Sequence, residues 1–248
     1  MIKLLVTDLD DTLYSWIGFF IPAFYGMLDE LSLILSVPKS DLLDEYQHVH
    51  QEKGSVEYPF ATLYLPSVKA AYPGKTKEEL LNILNPVFHK FNSIRKKKLE
   101  LYPGVKETLE KIAGMGIKVV GYTDSAEENG FYRLKRLGID DYFQSVYVSD
   151  SQFELPDYLP ASEKTQIVHG KKPNPAVIHK MCKYSYNAKG QDELYSKLVA
   201  ISHWTATDFE QEKAIKEICK AENIHPDYTI HAFDEILAII QTLNTIPS

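Results

Sequence analysis

The stretch "LLVTDLDDTL", residues 4–13, decides how the fold is interpreted. Its apolar first half is typical of a strand that is buried on both faces of a parallel sheet. It leads directly into Asp8, Asp10 and Asp11, three like charges that repel one another at this spacing. In open α/β sheets, ligands bind at the carboxyl ends of the strands, so Asp8 and Asp10 are candidate functional residues.

Length and composition limit the classes of protein that the chain can belong to. The 248 residues, 44% hydrophobic and 25% charged, suit one large domain or a core domain with a smaller one. The formal net charge of −7 disfavours nucleic acid or an anionic membrane surface as the main partner. Two cysteines, Cys182 and Cys219, are too few for a disulfide-stapled secreted fold and favour reduced thiols in a cytoplasm.

The most apolar segment is "WIGFFIPAFYGML", residues 16–28. It contains a proline and two glycines, runs into Asp29 and Glu30, and is shorter than the roughly 20 apolar residues that cross a bilayer. We therefore expect a buried helix. No membrane partner is expected, and the N-terminus has no signal-peptide pattern.

Hydrophobic periodicity divides the chain into two predicted domains. Residues 15–97 show helical spacing throughout and predict an inserted, all-helical domain. Residues 1–14 and 98–248 alternate between apolar strands and amphipathic helices, which predicts an α/β fold with a doubly wound parallel sheet. The segment 151–172 has two prolines and no clear period, so it is predicted to be a loop. The predicted strands are 2–8, 117–124, 145–150, 196–202 and 228–232.

Four short motifs follow one another in an order that resembles the haloacid dehalogenase-like (HAD) superfamily. They are "DLDDTL" (8–13), "YTDS" (122–125), "KKPNP" (171–175) and "SHWTATD" (202–208). The longer stretches 101–125 and 133–150 resemble the same family over their whole length. The resemblance implies a Rossmann-like core, and the helical insertion after the first strand matches the position of the family's C1 cap.

The resemblance also implies a chemistry for the two aspartates of the first motif. Asp8 would attack phosphorus and form an aspartyl-phosphate, and Asp10 would protonate the leaving oxygen and then activate water. A divalent cation, ligated by the Asp8 side chain and the Asp10 carbonyl, would offset the repulsion between these groups and the phosphate. The family's dehalogenases lack the second aspartate, so Asp10 favours phosphorus chemistry. Asp11 fits no such role and is interpreted as a turn residue or a solvated charge.

Three further residues are expected to bind phosphate. The resemblance implies that Thr123 and the backbone N–H of Asp124 bind phosphoryl oxygens, and that Lys172 pairs with both the phosphate and Asp8. Lys171 competes with Lys172 for that role. Thr123 has an alternative structural explanation as a helix N-cap, which Ser125 could provide equally well.

The fourth motif departs from the family pattern of Gly-Asp, four residues, then Asp. Ser202 replaces the glycine, His203 replaces the metal-binding aspartate, and Asp208 matches the second acid. Asp150 lies in a similar pattern but precedes Lys172, so its order is wrong. Three interpretations remain open. Asp208 becomes the main ligand of Mg²⁺, with activity kept but weakened; His203 ligates a metal that accepts imidazole better, such as Mn²⁺ or Zn²⁺; or the protein binds phosphorylated ligands with little catalysis. The structural alternative for His203 is a packing residue.

The sequence therefore predicts a cytoplasmic phosphatase that hydrolyses a small phosphomonoester, with the helical domain closing over the site and choosing the substrate. The predicted partner is a small phosphorylated metabolite rather than nucleic acid or a membrane. Two alternatives remain open, namely a phosphotransferase or mutase on the same scaffold and a catalytically impaired phosphate-binding protein.

Overall fold

The computed structural model describes residues 1–58, 60–150, 162–170, 172, 174–186, 197–201 and 227–245. The chain divides into two compact units. The first combines Met1–Ser15 with Glu100–Ser248, and the second is Trp16–Leu99.

The described part of the first unit contains a five-stranded sheet in which all strands run parallel, in the order β4-β3-β2-β1-β5. The chain thus winds outward from β1 in both directions, which confirms the predicted doubly wound α/β fold. The interior strand β1, which lies between β2 and β5, is completely buried, as its continuous apolar run predicts. The strands are β1 (Leu4–Thr7), β2 (Lys118–Ala126), β3 (Phe143–Ser149), β4 (Thr165–Val168) and β5 (Leu198–Ile201).

Two predictions about strands are wrong. The segment predicted to be a loop contains β4, a strand of four residues at the edge of the described sheet, where it pairs with β3. Of these four residues only Val168 is buried, so β4 carries no apolar period. The predicted strand at 228–232 does not form. Its Tyr228 is 48% exposed, and the segment instead leads into a short 3₁₀ helix at Phe233–Glu235. An exposed connection can therefore show the same alternation of apolar and polar residues as a strand.

The second unit, Trp16–Leu99, has its own apolar core, made mostly of leucines and aromatic residues. A capping box between Thr76 and Glu79 starts its fourth helix. That helix ends before Asn85-Pro86, where a new helix begins, because proline removes a backbone donor. The helices are α1 (Trp16–Leu35), α2 (Lys39–Lys53), α3 (Pro66–Ala71), α4 (Lys77–Ile83) and α5 (Asn85–Lys98).

Helix α1 is longer than its apolar segment predicts. It has 20 residues and is, by length and composition alone, long and apolar enough to cross a membrane. Its buried residues recur at helical spacing and include Phe20, Met27 and Leu31, the pattern of a helix packed on one face within a bundle. Helix α5 is its main neighbour, and a Cβ on Gly26 would lie 2.3 Å from Ile94 Cδ1. A small residue at this position therefore permits close packing.

The remaining described helices belong to the first unit. Leu4 and Val6 of β1 pack against Met181 and Cys182 of the helix that follows β4, while a second helix follows β2 directly. The helices are α6 (Val105–Gly114), α7 (Glu127–Leu137), α8 (Pro175–Tyr186) and α9 (Ile236–Thr245). Polar residues lie at the carboxyl ends of the strands, among them Asp8 after β1 and Asp124 in β2.

Candidate functional site

Asp8 directly follows the buried strand β1. Its backbone N–H donates to the carbonyl of Ile201 in β5 at 2.9 Å, so Asp8 is still fixed by the sheet. The Leu9 N–H donates to Asp8 Oδ1 at 2.8 Å. Asp11 has φ +53° in the turn that follows, a left-handed conformation that aspartate tolerates better than most residues. This agrees with the interpretation of Asp11 as a turn residue.

Lys172 lies next to Asp8. Its Nζ is 2.7 Å from Asp8 Oδ1 and also donates to the backbone carbonyl of Tyr122 at 3.2 Å. The N–H of Lys172 donates to Asp124 Oδ1 at 3.1 Å. The structure therefore brings Asp8, Asp124 and Lys172 together, and the Asp124 carboxylate fixes the segment that carries the lysine. Lys171 lies outside the described residues.

Asp10 is held by hydrogen bonds to both of its carboxylate oxygens. Arg133 Nη1 donates to Oδ1 at 2.7 Å. Thr123 Oγ1 donates to Oδ2 at 3.1 Å, and Ser125 Oγ donates to the same oxygen at 2.8 Å. Helix α7 has Ala126 as its N-cap, without a capping side chain. Thr123 and Ser125 therefore contact Asp10 rather than cap this helix, which excludes the alternative role suggested for them.

Arg133 is the most deeply buried charged group in this cluster. Its side chain is 2% exposed, against 18% for that of Asp10. Its Nη1 also donates to Ser125 Oγ at 3.1 Å. Burial of a cation without a partner costs desolvation free energy. The Asp10 carboxylate and the Ser125 hydroxyl offset this cost for Arg133. Each of the two aspartates is thus paired with a cation, Asp8 with Lys172 and Asp10 with Arg133.

The close approach of α7 to the end of β2 places Arg133. Gly130 lies three residues earlier on the same helix, and a Cβ there would be 3.1 Å from Thr123 Cγ2. Residues three apart share a face of a helix, so the side that carries Gly130 also directs Arg133 toward the strand ends. Tyr14 adds a buried phenol to this cluster, and burial together with the Asp10 charge raises the pKa of Tyr14.

Sequence reasoning missed the roles of Ser125 and Arg133 in this cluster. The signal for Arg133 was its position, because it interrupts the short apolar stripe that Gly130 and Leu137 form on one face of the helix. A charged residue on such a stripe is either paired or functional. Ser125 had no comparable signal, since serine after a strand is ordinary turn chemistry.

The fourth motif and the rejected Asp150 complete the predicted site residues. His203 and Asp208 lie outside the described residues. Asp150 is half-exposed, and its nearest ion-pair partner is His169, 3.4 Å away, which agrees with its rejection on motif order. Within the described ranges, no group of three or more His, Cys, Asp or Glu side chains is arranged to hold a metal ion.

Asp8 and Asp10 directly follow β1, an interior strand of the parallel sheet, at the strand ends where open α/β sheets generally bind their ligands. Residues 6–163, more than half of the chain, match the family model of haloacid dehalogenase-like hydrolases. The chain belongs to this family. A comparison with curated protein sequences gave no match.

Solved structures of the same superfamily resemble the whole chain. A 2-haloacid dehalogenase from Pseudomonas syringae pv. tomato DC3000 is 18% identical, covers 98% of this chain and 99% of its own, and has a TM-score of 0.56. A protein provisionally described as a β-phosphoglucomutase from Thermotoga maritima is 19% identical, covers 97% and 99%, and has a TM-score of 0.50. At this identity the likeness establishes the shared fold.

Proposed function

We propose that this hydrolase is a phosphatase that cleaves a small phosphomonoester through an aspartyl-phosphate on Asp8. The single observation that carries the proposal is the pair of Asp8 and Lys172, with Nζ 2.7 Å from Oδ1. A lysine at this distance holds the carboxylate in one place, and because its ammonium has three donors and also donates to the Tyr122 carbonyl, one donor is left for a phosphoryl oxygen. Asp10, two residues on, distinguishes this site from the family's dehalogenases, which lack the second acid.

The chemistry requires two displacements at phosphorus. In the first, an Asp8 oxygen forms a bond to phosphorus while the bond to the leaving oxygen breaks, and Asp10 gives that oxygen a proton. In the second, water attacks the aspartyl-phosphate and loses a proton to Asp10, releasing phosphate and restoring Asp8. Thr123 and Lys172 bind the phosphoryl oxygens as negative charge moves onto them.

A divalent cation fits the oxygen donors at this site. Carboxylate and carbonyl oxygens are the ligands that Mg²⁺ prefers, and Asp8 with the Asp10 carbonyl would supply them. Asp208 is the further ligand proposed from sequence, with His203 as a doubtful one. When bound, the cation neutralises charge on the phosphate. This matters because Lys172 and Arg133 already balance the two aspartates and leave little positive charge for a dianion.

The altered fourth motif makes a testable difference to metal binding. Histidine supplies one nitrogen and no negative charge, so Mg²⁺ is expected to bind more weakly than it would with an aspartate. His203→Asp should therefore lower the Mg²⁺ concentration needed for half-maximal rate, and Mn²⁺ should support the wild type better than Mg²⁺ does. Identical Mg²⁺ titrations for the two proteins would remove His203 from the metal shell.

The function is tested with a panel of phosphomonoesters in the presence of Mg²⁺, Mn²⁺ or Zn²⁺, with Asp8→Asn as the inactive control. Release of phosphate together with a trapped phosphoenzyme supports the phosphatase. Transfer of the phosphoryl group to a second alcohol in preference to water supports a phosphotransferase or mutase instead. Binding without turnover supports a phosphate-binding protein. Wild-type turnover in Asp8→Asn would overturn the proposed nucleophile.

A further inference from the structure

The cluster around Asp10 contains a charged residue to which the proposed reaction gives no task. Arg133 is buried and lies on α7 in the first unit. Its Nη1 donates to the Asp10 carboxylate and to the Ser125 hydroxyl. Its guanidinium is therefore placed to act on the reaction through Asp10.

The two oxygens of the Asp10 carboxylate differ in what holds them. Oδ1 accepts from Arg133 Nη1 at 2.7 Å, a short, charge-assisted bond from a rigid planar group. Oδ2 accepts from two hydroxyls, those of Thr123 and Ser125, and the Tyr14 phenol also hydrogen-bonds the carboxylate. A hydroxyl can rotate and exchange partners at little cost, whereas a buried guanidinium cannot find another anion. Arg133 thus fixes Oδ1 and leaves Oδ2 as the exchangeable atom.

Phosphate binding would change only one of these bonds. Thr123 is proposed to turn its hydroxyl toward a phosphoryl oxygen, which frees one donor from Oδ2. Ser125 remains in place because it also accepts from Arg133 Nη1 at 3.1 Å and, through its N–H, donates to Thr123 Oγ1 at 3.0 Å. The carboxylate therefore keeps its orientation when the substrate arrives.

We infer that Arg133 is a positioning residue that fixes the Asp10 carboxylate by its Oδ1 and presents Oδ2 for proton exchange with the leaving group and water. This inference rests on the proposed phosphatase function of Asp8 and Asp10. Arg133 does not touch the substrate. Its contribution is to hold the acid within reach, because a proton is transferred efficiently only at hydrogen-bond distance.

The leaving group reveals whether Arg133 acts in this way. An alkoxide of high pKa needs the proton from Asp10, whereas a nitrophenolate of low pKa departs almost without it. Arg133→Met should therefore lower kcat/KM for an alkyl phosphate by about 100-fold and for 4-nitrophenyl phosphate by less than about 10-fold. Arg133→Lys keeps a charged donor, so its kcat/KM for the alkyl phosphate should lie between the values for Arg133→Met and the wild type.

Two controls separate positioning from a merely structural role. Leu134→Ala removes a fully buried apolar side chain from the same helix and cannot remove a hydrogen bond to Asp10, so it should affect both substrates equally. In an Asp10→Asn background, Arg133→Met should cause little further loss for either substrate, because its effect runs through Asp10. If the double variant loses kcat/KM by the product of the losses in the two single variants, the inference is overturned.

Crystal structures of the wild type and of Arg133→Met or Arg133→Lys give a second readout that does not need turnover. One Asp10 orientation in the wild type and a rotated or split carboxylate in the variant support positioning. An unchanged Asp10 orientation, or equal loss for both leaving groups, overturns it. If the wild type turns over neither substrate, the proposed function fails, and the orientation of Asp10 still decides whether Arg133 positions it.

Discussion

Lys172 Nζ lies 2.7 Å from Asp8 Oδ1, and the N–H of the same lysine lies 3.1 Å from Asp124 Oδ1. Two aspartates from the ends of neighbouring strands thus fix one lysine, the first through its side chain and the second through its backbone. The lysine side chain is 23% exposed and that of Asp8 is 9% exposed, so the pair lies at the boundary between the sheet and the solvent. This position suits a group that meets a phosphate.

Lys172→Met should lower the proposed phosphatase activity by about 100- to 1000-fold, the cost of removing one preorganised donor from a developing charge. Lys172→Arg should recover only part of it, because a planar guanidinium does not reproduce an ammonium that also donates to the Tyr122 carbonyl. Lys183→Met, which removes an exposed lysine of α8, is the matched control. Equal kcat/KM values for Lys172→Met and Lys183→Met would contradict the role of Lys172 in binding phosphate.

Stability should respond differently to the two aspartates. Asp10→Asn leaves Arg133, whose side chain is 2% exposed, without its counter-charge and should lower the free energy of unfolding by about 3 kcal/mol. Asp8→Asn leaves Lys172, which is exposed enough to be hydrated, and should cost about 1 kcal/mol or less. Denaturant unfolding of both variants measures the difference. Equal changes would mean that the Arg133 charge is not buried as described.

The fold was largely predictable because buried strands have a strong signature. The apolar run before Asp8 predicted β1, and the similar runs before Asp124 and Asp150 predicted β2 and β3. Strand β4 was not predictable, since an edge strand half open to solvent needs few apolar residues and is specified by pairing with β3. Pairing between distant segments leaves little trace in the sequence.

The candidate site was predictable only in part. Asp8, Asp10, Thr123 and Lys172 follow a motif order, and the structure brings them to the same strand ends. Arg133 depends on how α7 is rotated against β2, which is set by the close contact at Gly130. Such a rotation is a matter of packing and cannot be read from spacing alone. His203 and Asp208 lie outside the described residues, so their roles stay predictions from the sequence.

Acid should destabilise the helical unit through His50. This half-buried residue lines a cavity of about 520 Å³ together with Phe24 and Tyr46, and burial lowers the pKa of His50 below its ordinary value of 6.5. The unfolded state then binds more protons than the folded state as the pH falls below 6.5, so folding stability is lost in that direction.

His50→Gln should remove that part of the pH dependence. The difference in melting temperature between pH 7.5 and pH 5.5 should be smaller in His50→Gln than in the wild type, by roughly 2–4 °C for each kcal/mol involved. His48→Gln is the control, because His48 lies on the same helix but is exposed. Parallel pH profiles for the wild type and His50→Gln would contradict the assignment of this effect to His50.

Removal of the helical unit should leave a folded α/β unit. The two points where the chain leaves and re-enters that unit lie side by side within it, because Tyr14 forms an antiparallel bridge with Leu101 and the Tyr102 N–H donates to the Leu13 carbonyl at 2.9 Å. A linker of a few glycine and serine residues between Ser15 and Glu100 can therefore span the gap.

The helical unit also has its own apolar core, whose residues all lie within Trp16–Leu99. Removal of the unit therefore takes out this core as a whole. The shortened protein should show a cooperative thermal transition and a circular dichroism spectrum of mixed helix and strand.

If the helical unit selects the substrate, the shortened protein should hydrolyse a broad set of small phosphate esters slowly, with similar kcat/KM values. A chain that does not fold would place the boundary elsewhere. A shortened protein that keeps the substrate preference of the full chain would remove the helical unit from substrate selection.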